Sequence, residues 1–271
     1  MIVVELRKLA RRPRTWISVF LLCLLPAVVA VFLAVTGVGP RPGEGPTFLS
    51  AVLSEGQLFP AAALAIVLPV FLPLAVAVTA GEAVAGEASA GTLKYLLVRP
   101  VSRTRLLVAK LVSIVVFTMV AVVAVALSGY VVGVTLLGRG QLGTTTISVS
   151  GTPLGTEQLL LRALLMVTYI GLSMLGVASV SLFLSTLTDS PLGAALGGLA
   201  VLAGSTVLVA LEAAGSVNDW LPTRYWLAWV DLFRDPILWH DVERGALVQG
   251  IWTVVLLGMA WAAFTTRDVT S

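Results

Sequence analysis

Six long apolar runs without a charged side chain dominate the pattern along this chain of 271 residues. A helix needs roughly 20 apolar residues to cross the hydrocarbon core of a bilayer. Runs that are continuous favour such helices over the short alternating segments of a membrane β-barrel. We therefore predict an all-α polytopic membrane protein, one transmembrane domain over 1–271, with spans at 16–36, 58–80, 111–137, 163–187, 191–211 and 246–264.

The composition excludes the other classes of protein. Hydrophobic residues make up 58% of the chain and charged residues 11%, and the mean hydropathy is +1.01. A soluble domain carries roughly 25% charged residues, so this chain cannot cover a surface that faces water. Its single cysteine, Cys23, excludes an intramolecular disulfide and a cysteine-based metal cluster.

The distribution of charge predicts the orientation. With both termini on one side, that side holds eleven basic and five acidic residues, whereas the other holds six and nine. Basic residues near span ends stay on the cytoplasmic side, so we predict that both termini are cytoplasmic. The pI near 9.4 thus reflects topology, and the expected partner is the lipid bilayer and not a nucleic acid.

The N-terminal segment 1–14 has the pattern of an amphipathic helix. Ile2, Leu6 and Leu9 share one stripe, and most charged side chains lie on the other side. Such a basic helix lies in the headgroup layer, and Pro13 disfavours its continuation beyond Arg12. The alternative is a basic flank that only sets the topology.

The segment 81–110 is the longest predicted cytoplasmic loop. Residues 82–97 are predicted to form a short helix or helix pair outside the bilayer, which Pro100 ends, and Ser102 is placed to cap a second helix that leads into the third span. Gly86 and Gly91 have the spacing of a phosphate-binding loop. Thr92 and Leu93 follow where Lys and Ser or Thr are required, so we predict no nucleotide site in this chain.

The outer loop 212–245 holds four of the seven tryptophans, and its pattern predicts an interfacial or shallow re-entrant helix pair. It either anchors the chain or gates the exit of a substrate. The loops before the second and fourth spans are interpreted as connectors. His240 is the single histidine and is interpreted as an ordinary solvated side chain.

Two patterns inside the spans each allow two interpretations. Prolines in the second span free backbone carbonyls, which either line a pathway or only mark a packing kink; they are Pro60, Pro69 and Pro73. Small residues four positions apart in the fifth span permit a close helix approach, either in a homodimer seam or within the chain; they are Gly193, Ala194, Gly197 and Gly198.

The predicted spans contain no charged side chain, which argues against an ion-driven carrier. No arrangement of nucleophile and base, and no set of metal ligands, can be assembled from the sequence. We therefore predict that the chain is not an enzyme and holds no cofactor or metal of its own.

The sequence resembles the membrane subunits of type-2 ABC transporters, in particular small bacterial permeases with six helices. Two stretches carry most of the resemblance: the basic helix at Glu5–Trp16 and the loop at Glu87–Lys110. In the loop, a Glu is followed by Gly-Thr-Leu, a leucine pair, Pro-Val-Ser-Arg and a Lys. The match extends to the six-helix layout, the aromatic outer loop and a C-terminal Phe264 followed by Arg267 and Asp268.

The resemblance implies a permease in the cytoplasmic (inner) membrane of a bacterium, paired with a second copy or with a paralogous permease. Separate cytoplasmic ATPase subunits would bind ATP and Mg²⁺ and would drive it through a coupling helix in the 81–110 loop. Glu87 and Arg103 or Lys94 are expected to form ion pairs with the ATPase. The full set of expected interface residues is Glu5, Lys8, Arg12, Glu82, Glu87, Gly91, Thr92, Leu93, Lys94, Pro100 and Arg103.

The sequence thus predicts the permease subunit of an ATP-driven exporter. One alternative is a membrane scaffold or regulatory subunit that recruits a cytoplasmic partner without transporting anything. The other is a carrier that works without ATP, which the absence of charge in the predicted spans disfavours.

Overall fold

The computed structural model describes residues 1–36, 56–91, 102–137, 146–148, 150–211 and 215–266. Eight α-helices lie in these ranges: α1 (Ile2–Arg11), α2 (Pro13–Thr36), α3 (Phe59–Val67), α4 (Phe71–Ser89), α5 (Arg103–Val132), α6 (Thr156–Leu187), α7 (Pro191–Ala210) and α8 (Trp239–Thr266). Short 3-10 helices occupy Gly56–Leu58, Gly215–Trp220 and Ala228–Phe233, and a π-helical turn, Gly133–Leu137, extends α5.

Six of these helices are long and apolar enough to cross a bilayer, namely α2, α4, α5 with its π-helical turn, α6, α7 and α8. The backbone of each forms its hydrogen bonds within the helix, which is what lipid requires. The predicted fold class is therefore confirmed: the chain is an all-α, multi-pass membrane protein.

The second predicted span, 58–80, is not one helix. The chain forms α3, breaks at residues 68–70, and resumes as α4 at Phe71. Pro69 lies in the break, and neither Pro69 nor Pro73 has an N–H to donate to the preceding turn, so a continuous helix would lose two hydrogen bonds. The prolines thus separate two helices and do not merely bend one.

The predicted loop 81–110 is also shorter than expected. Residues 81–89 belong to α4, and residues 103–110 belong to α5, so the connection spans only 90–102. Residues 82–89 are thus a continuation of a membrane-spanning helix and not a separate helix outside the bilayer. The rest of the predicted coupling helix, 92–97, lies outside the described residues.

Local signals explain where several helices begin. The Ser102 hydroxyl accepts a hydrogen bond from the Arg105 N–H at 3.3 Å, and the Ser190 hydroxyl accepts one from the Gly193 N–H at 3.1 Å. Both are ordinary N-caps, and the cap predicted at Ser102 is confirmed. Arg12 has extended backbone angles, so α1 ends before Pro13 as predicted.

The outer connections carry structure that the sequence did not predict. Within the segment read as a connector, Thr146–Ile147 and Pro153–Leu154 form a two-stranded antiparallel sheet, with Thr146 opposite Leu154. In the aromatic loop the two short helices are 3-10 helices, and Trp229 and Phe233 are buried in the core in an edge-to-face contact. These two aromatic residues thus pack inside the protein.

The direction of the helices defines two ends of the bundle. The first, which we call the N-terminal end, holds α1, the last turns of α4, α6 and α8, and the first turns of α5 and α7. The opposite end holds the small sheet and the aromatic loop.

At the N-terminal end, α4 and α7 approach so closely that a Cβ at Gly81 would lie 2.9 Å from the Ala195 backbone nitrogen. Ser185 of α6 donates a hydrogen bond to the Gly81 carbonyl at 2.7 Å and accepts one from the Ala85 N–H at 2.9 Å. The three helices are thus joined at one point.

Candidate functional site: a buried charge cluster at the N-terminal end

The amphipathic helix α1 turns a polar face toward the bundle. Glu5, Lys8 and Leu9 are half-buried, and they share that face with Arg12 because their spacing follows the helical repeat. Charged side chains of α1 therefore meet charged side chains of the spans, whereas Ile2 of the apolar stripe is exposed.

The centre of this contact is Glu87 on α4. The Lys8 ammonium nitrogen lies 2.7 Å from Glu87 Oε1, and the Lys110 nitrogen, on α5, lies 2.6 Å from Glu87 Oε2. The Lys110 side chain is 2% exposed and that of Glu87 7%. We call Lys8, Glu87 and Lys110 the charge cluster; it joins three helices through one buried carboxylate.

A buried ion pair needs its charges closely balanced, because the interior does not solvate them. One carboxylate stands between two ammonium groups, and the carboxylate of Glu5 on α1 adds an attraction to Lys110. Lys8 is still partly exposed, so its excess charge is shared with the solvent. The arrangement stabilises the charged form of Lys110, which would otherwise be costly to bury.

A second ionic contact lies beside the cluster and nearer the surface. Glu82, five residues before Glu87 on α4, faces two arginines of the α1–α2 junction. Arg14 Nη1 lies 2.5 Å from its Oε1, and Arg12 Nη1 lies 3.8 Å from its Oε2. All three side chains are in contact with solvent, so this contact is worth far less to stability than the cluster.

Arg103 fixes the remaining part of this end. Its guanidinium donates hydrogen bonds to the backbone carbonyls of Phe264 at 3.2 Å and Thr265 at 3.0 Å, in the last turn of α8. A cation at the C-terminus of a helix satisfies carbonyls that have no partner within the helix and interacts favourably with the helix dipole. Trp261 of the same helix donates to the Thr104 hydroxyl at 2.9 Å.

The structure thus brings six of the predicted interface residues to one end: Glu5, Lys8, Arg12, Glu82, Glu87 and Arg103. It also corrects the predicted role of Glu87, because a carboxylate buried between two lysines of its own chain does not project toward a partner. Arg103 likewise binds its own chain.

Gly91 is exposed and has φ of +65°, the left-handed conformation that glycine adopts most easily. The other predicted interface residues lie outside the described residues; they are Thr92, Leu93, Lys94 and Pro100.

Sequence reasoning missed Lys110 as a partner and placed all charge outside the spans. Lys110 lies in α5, Glu82 and Glu87 in α4, and Arg162 in α6. Lys110 and Arg162 precede uninterrupted apolar runs, which made them look like the flanks of a span. The available signal was the opposite charge of Glu87 and Lys110, each next to a predicted span, on consecutive helices.

The candidate pathway prolines do not form a common surface. Pro60 is half-buried at the start of α3, Pro69 is exposed in the break, and Pro73 is buried in the first turn of α4. A break at membrane depth is tolerated where the freed backbone groups are buried in protein or face a water-filled cavity. The pathway role of these residues stays a prediction.

The dimer-seam hypothesis is wrong for two of the four small residues in α7. Ala194 and Gly198 are buried inside the chain, and a Cβ at Gly198 would collide with Ser181 of α6. Gly197 is half-buried beside Leu184, and Gly193 is exposed. Ala194 and Gly198 therefore pack α7 within the same chain, the second of the two interpretations, whereas a dimer seam at Gly193 and Gly197 stays a prediction.

At the opposite end, the aromatic loop is fastened by side chains from the spans. Arg162 of α6, which is buried, donates to the Arg234 carbonyl at 3.0 Å, and Tyr169 donates to the Tyr225 carbonyl at 2.7 Å. Gln249 and Trp252 of α8 donate to carbonyls of the same loop. An open cavity of about 370 Å³ lies here, bordered by Asp219, Arg224, Asp231, Asp241 and Arg244.

A family described as "Protein of unknown function (DUF2705)" matches residues 46–221 of the 271 in the chain. The chain belongs to this family. No curated protein matches the sequence.

The family match spans α3 to α7 and therefore includes Glu82, Glu87 and Lys110, whereas α1 with Lys8 lies before it. In the described part of the chain, no group of three or more His, Cys, Asp or Glu side chains is placed to hold a metal ion. The site is therefore best described by its ionic contacts and the helices that they join.

Proposed function

We propose that the chain is the permease subunit of an ATP-binding cassette exporter, which forms a translocation pathway as a dimer and is driven by separate ATPase subunits. The resemblance to type-2 ABC permeases supplies the mechanism. In this proposal the segment 90–102 lies in the cytosol and receives the movement of an ATPase. Both termini are then cytoplasmic, in the inner membrane of a bacterium, as the positive-inside distribution favours.

The observation that carries the proposal is the charge cluster. The segment 90–102 leaves from the end of α4 and enters the start of α5, and Glu87 and Lys110 tie those two helices together beside it. Because Lys8 binds the same carboxylate, α1 is tied to both. A displacement of the segment would therefore move three helices together and would not be absorbed by one flexible loop.

Further contacts join the N-terminal end to the rest of the bundle. Arg103 binds the last turn of α8, and Ser185 joins α6 to α4 at Gly81, beside α7. Movement at the segment is thus transmitted to helices that run to the aromatic loop at the opposite end. Packed helices transmit such shifts because a close-packed interior deforms little.

The expected result of the first test is that an ATP-hydrolysing subunit accompanies the protein. The tagged full chain is isolated in a mild detergent from its own cells, and ATP hydrolysis is measured in the eluate. Lys94→Glu reverses a charge in the segment and is expected to lower the recovered hydrolysis about fivefold or more, because a like charge at an interface repels its partner.

Arg224→Glu is the matched control, since it makes the same charge change at the opposite end of the bundle. Hydrolysis that is absent from the wild-type eluate, or that falls equally with both variants, would contradict the proposal. A scaffold subunit would retain the ATPase but would show no stimulation by any transported compound.

One observation favours the carrier that works without ATP. The sequence argument against it was the absence of charge in the spans, and Lys110 and Arg162 are in fact buried in spanning helices. Intramembrane charges commonly mark ion pathways. In this chain, Lys110 pairs with Glu87 and Arg162 binds a loop, so both have structural partners. Flux through the reconstituted chain alone would support the carrier.

A further inference from the structure

A groove of about 200 Å³ lies between the α1–α2 junction and α4, apart from the charge cluster. The part of the groove nearer the N-terminal end is charged, with Arg12 and Arg14 facing Glu82. The part farther from that end is apolar and is bordered by Ile17 and Val78. Arg12 and Glu82 are also among the residues expected at the ATPase interface, but the apolar part of the groove has no role in the proposed transport function.

The charged and apolar parts of the groove lie one after the other along the membrane normal. Ile17 lies about one turn beyond Arg14 along α2, and Val78 lies one turn before Glu82 on the antiparallel α4. Along the direction into the bilayer, the groove therefore changes from charged to apolar within about 5 Å, the rise of one helical turn. Ile17 is 56% exposed and Val78 38%, so the apolar part opens toward the lipid side.

The charges in the groove are not balanced within it. Two guanidinium groups face a single carboxylate, which leaves one positive charge. The Arg14 side chain is 76% exposed and that of Arg12 43%, so their contacts with Glu82 are weak and exchangeable. Guanidinium groups bind phosphate with two parallel hydrogen bonds, which makes this pair of arginines suited to a phosphate group.

We propose that this groove binds an anionic phospholipid, with the headgroup phosphate at Arg12 and Arg14 and an acyl chain along Ile17 and Val78. A free phosphate would use the arginines but would leave the apolar walls exposed. A phospholipid fits both parts and lies at this depth of the membrane. Trp16, whose indole donates to the Ala10 carbonyl at 2.8 Å, stands next to the groove as an interfacial aromatic.

The inference rests only on the membrane-spanning fold and holds for either orientation. It also has a structural consequence, since α1 and α2 meet at this groove. A lipid held there would stabilise the position of α1, and hence of Lys8 in the charge cluster, against displacement from the bundle.

The test measures which lipid stays bound. The full chain is reconstituted in vesicles of equal parts phosphatidylglycerol and phosphatidylcholine, extracted into detergent, and its retained lipids are quantified by mass spectrometry. We expect phosphatidylglycerol to be enriched. In the double variant Arg12→Gln with Arg14→Gln, the enrichment is expected to fall about 25-fold, because each of the two basic residues near the surface contributes about a factor of five to anionic lipid binding.

The matched control is Arg105→Gln with Arg224→Gln, which removes the same charge from two exposed positions outside the groove. Val78→Phe keeps every charge but narrows the apolar part of the groove, so we expect it to lower the phosphatidylglycerol enrichment as well. This variant tests the proposal if the double arginine variant does not fold. Equal enrichment in Val78→Phe and wild type, equal loss in the control pair, or displacement of the lipid by sodium phosphate alone would each overturn the proposal.

Discussion

Glu87→Gln is expected to lower the free energy of unfolding by about 3–5 kcal/mol, the usual cost of removing one partner from a buried ion pair. The amide keeps the size of the side chain but leaves Lys110, which is 2% exposed, without its counter-charge. Thermal or denaturant unfolding of the purified chain in one detergent measures the change.

Glu82→Gln is the matched control, five residues earlier on the same helix. Its arginine partners are exposed, so the expected loss is below about 1 kcal/mol. The double variant Glu87→Leu with Lys110→Met removes both buried charges and is expected to be more stable than Glu87→Gln alone. Equal destabilisation by Glu87→Gln and Glu82→Gln would show that the cluster does not hold the end of the bundle together.

Gly81→Ala is expected to destabilise the protein by about 1–3 kcal/mol, although alanine normally favours a helix. The new Cβ would lie 2.9 Å from the Ala195 nitrogen and 3.0 Å from the Pro191 carbonyl oxygen, and these are backbone atoms of α7 that cannot rotate away. Gly81→Leu is expected to prevent the packing of α7 against α4 and to abolish accumulation of the folded chain in the membrane.

Gly86→Ala provides the comparison within the same helix. A Cβ there meets only Glu82 Cβ, at 3.6 Å, which is an ordinary contact, so the variant is expected to be neutral or more stable by up to about 1 kcal/mol. If Gly81→Ala proved as stable as Gly86→Ala, the close approach of α4 and α7 would be wrong.

The long spans could be predicted because their signal is local. A run of about 20 apolar residues has few alternatives to a membrane-spanning helix, and the N-cap at Ser102 and the stop at Pro13 are equally local. The observed helices differ from the predicted spans mainly where segments with charged residues extend them, as at 103–110 in α5 and 156–162 in α6.

The full charge cluster could not be predicted because Lys8 is distant in sequence from its other two members. Lys8 and Glu87 are separated by 79 positions, and a sequence does not tell which of 17 basic residues meets a given carboxylate. Glu87 also stands among alanines and glycines, a composition that reads as a surface loop but here permits close packing of α4 against its neighbours.

The effect of the prolines in the second predicted span could not be predicted from the sequence for a different reason. Proline removes a hydrogen bond wherever it occurs in a helix, but whether the helix bends or separates depends on the packing around it. The buried Leu68 and Leu72 on either side of Pro69 hold the two helices in the core, so the break between α3 and α4 is stable. The prolines are visible in the sequence, but the packing of the leucines around them could not be predicted from it.

The claim on which the transport proposal depends is that the segment after α4 contacts an ATPase. A chain carrying Cys23→Ser and Ala90→Cys presents one exposed cysteine at the start of this segment. A chain carrying Cys23→Ser and Val217→Cys presents one in the aromatic loop. Each is labelled with a benzophenone maleimide in native membranes and irradiated. Adducts are then probed with azido-ATP. The account predicts an ATP-binding adduct from Ala90→Cys and none from Val217→Cys; an ATP-binding adduct from Val217→Cys, or none from Ala90→Cys, would contradict it.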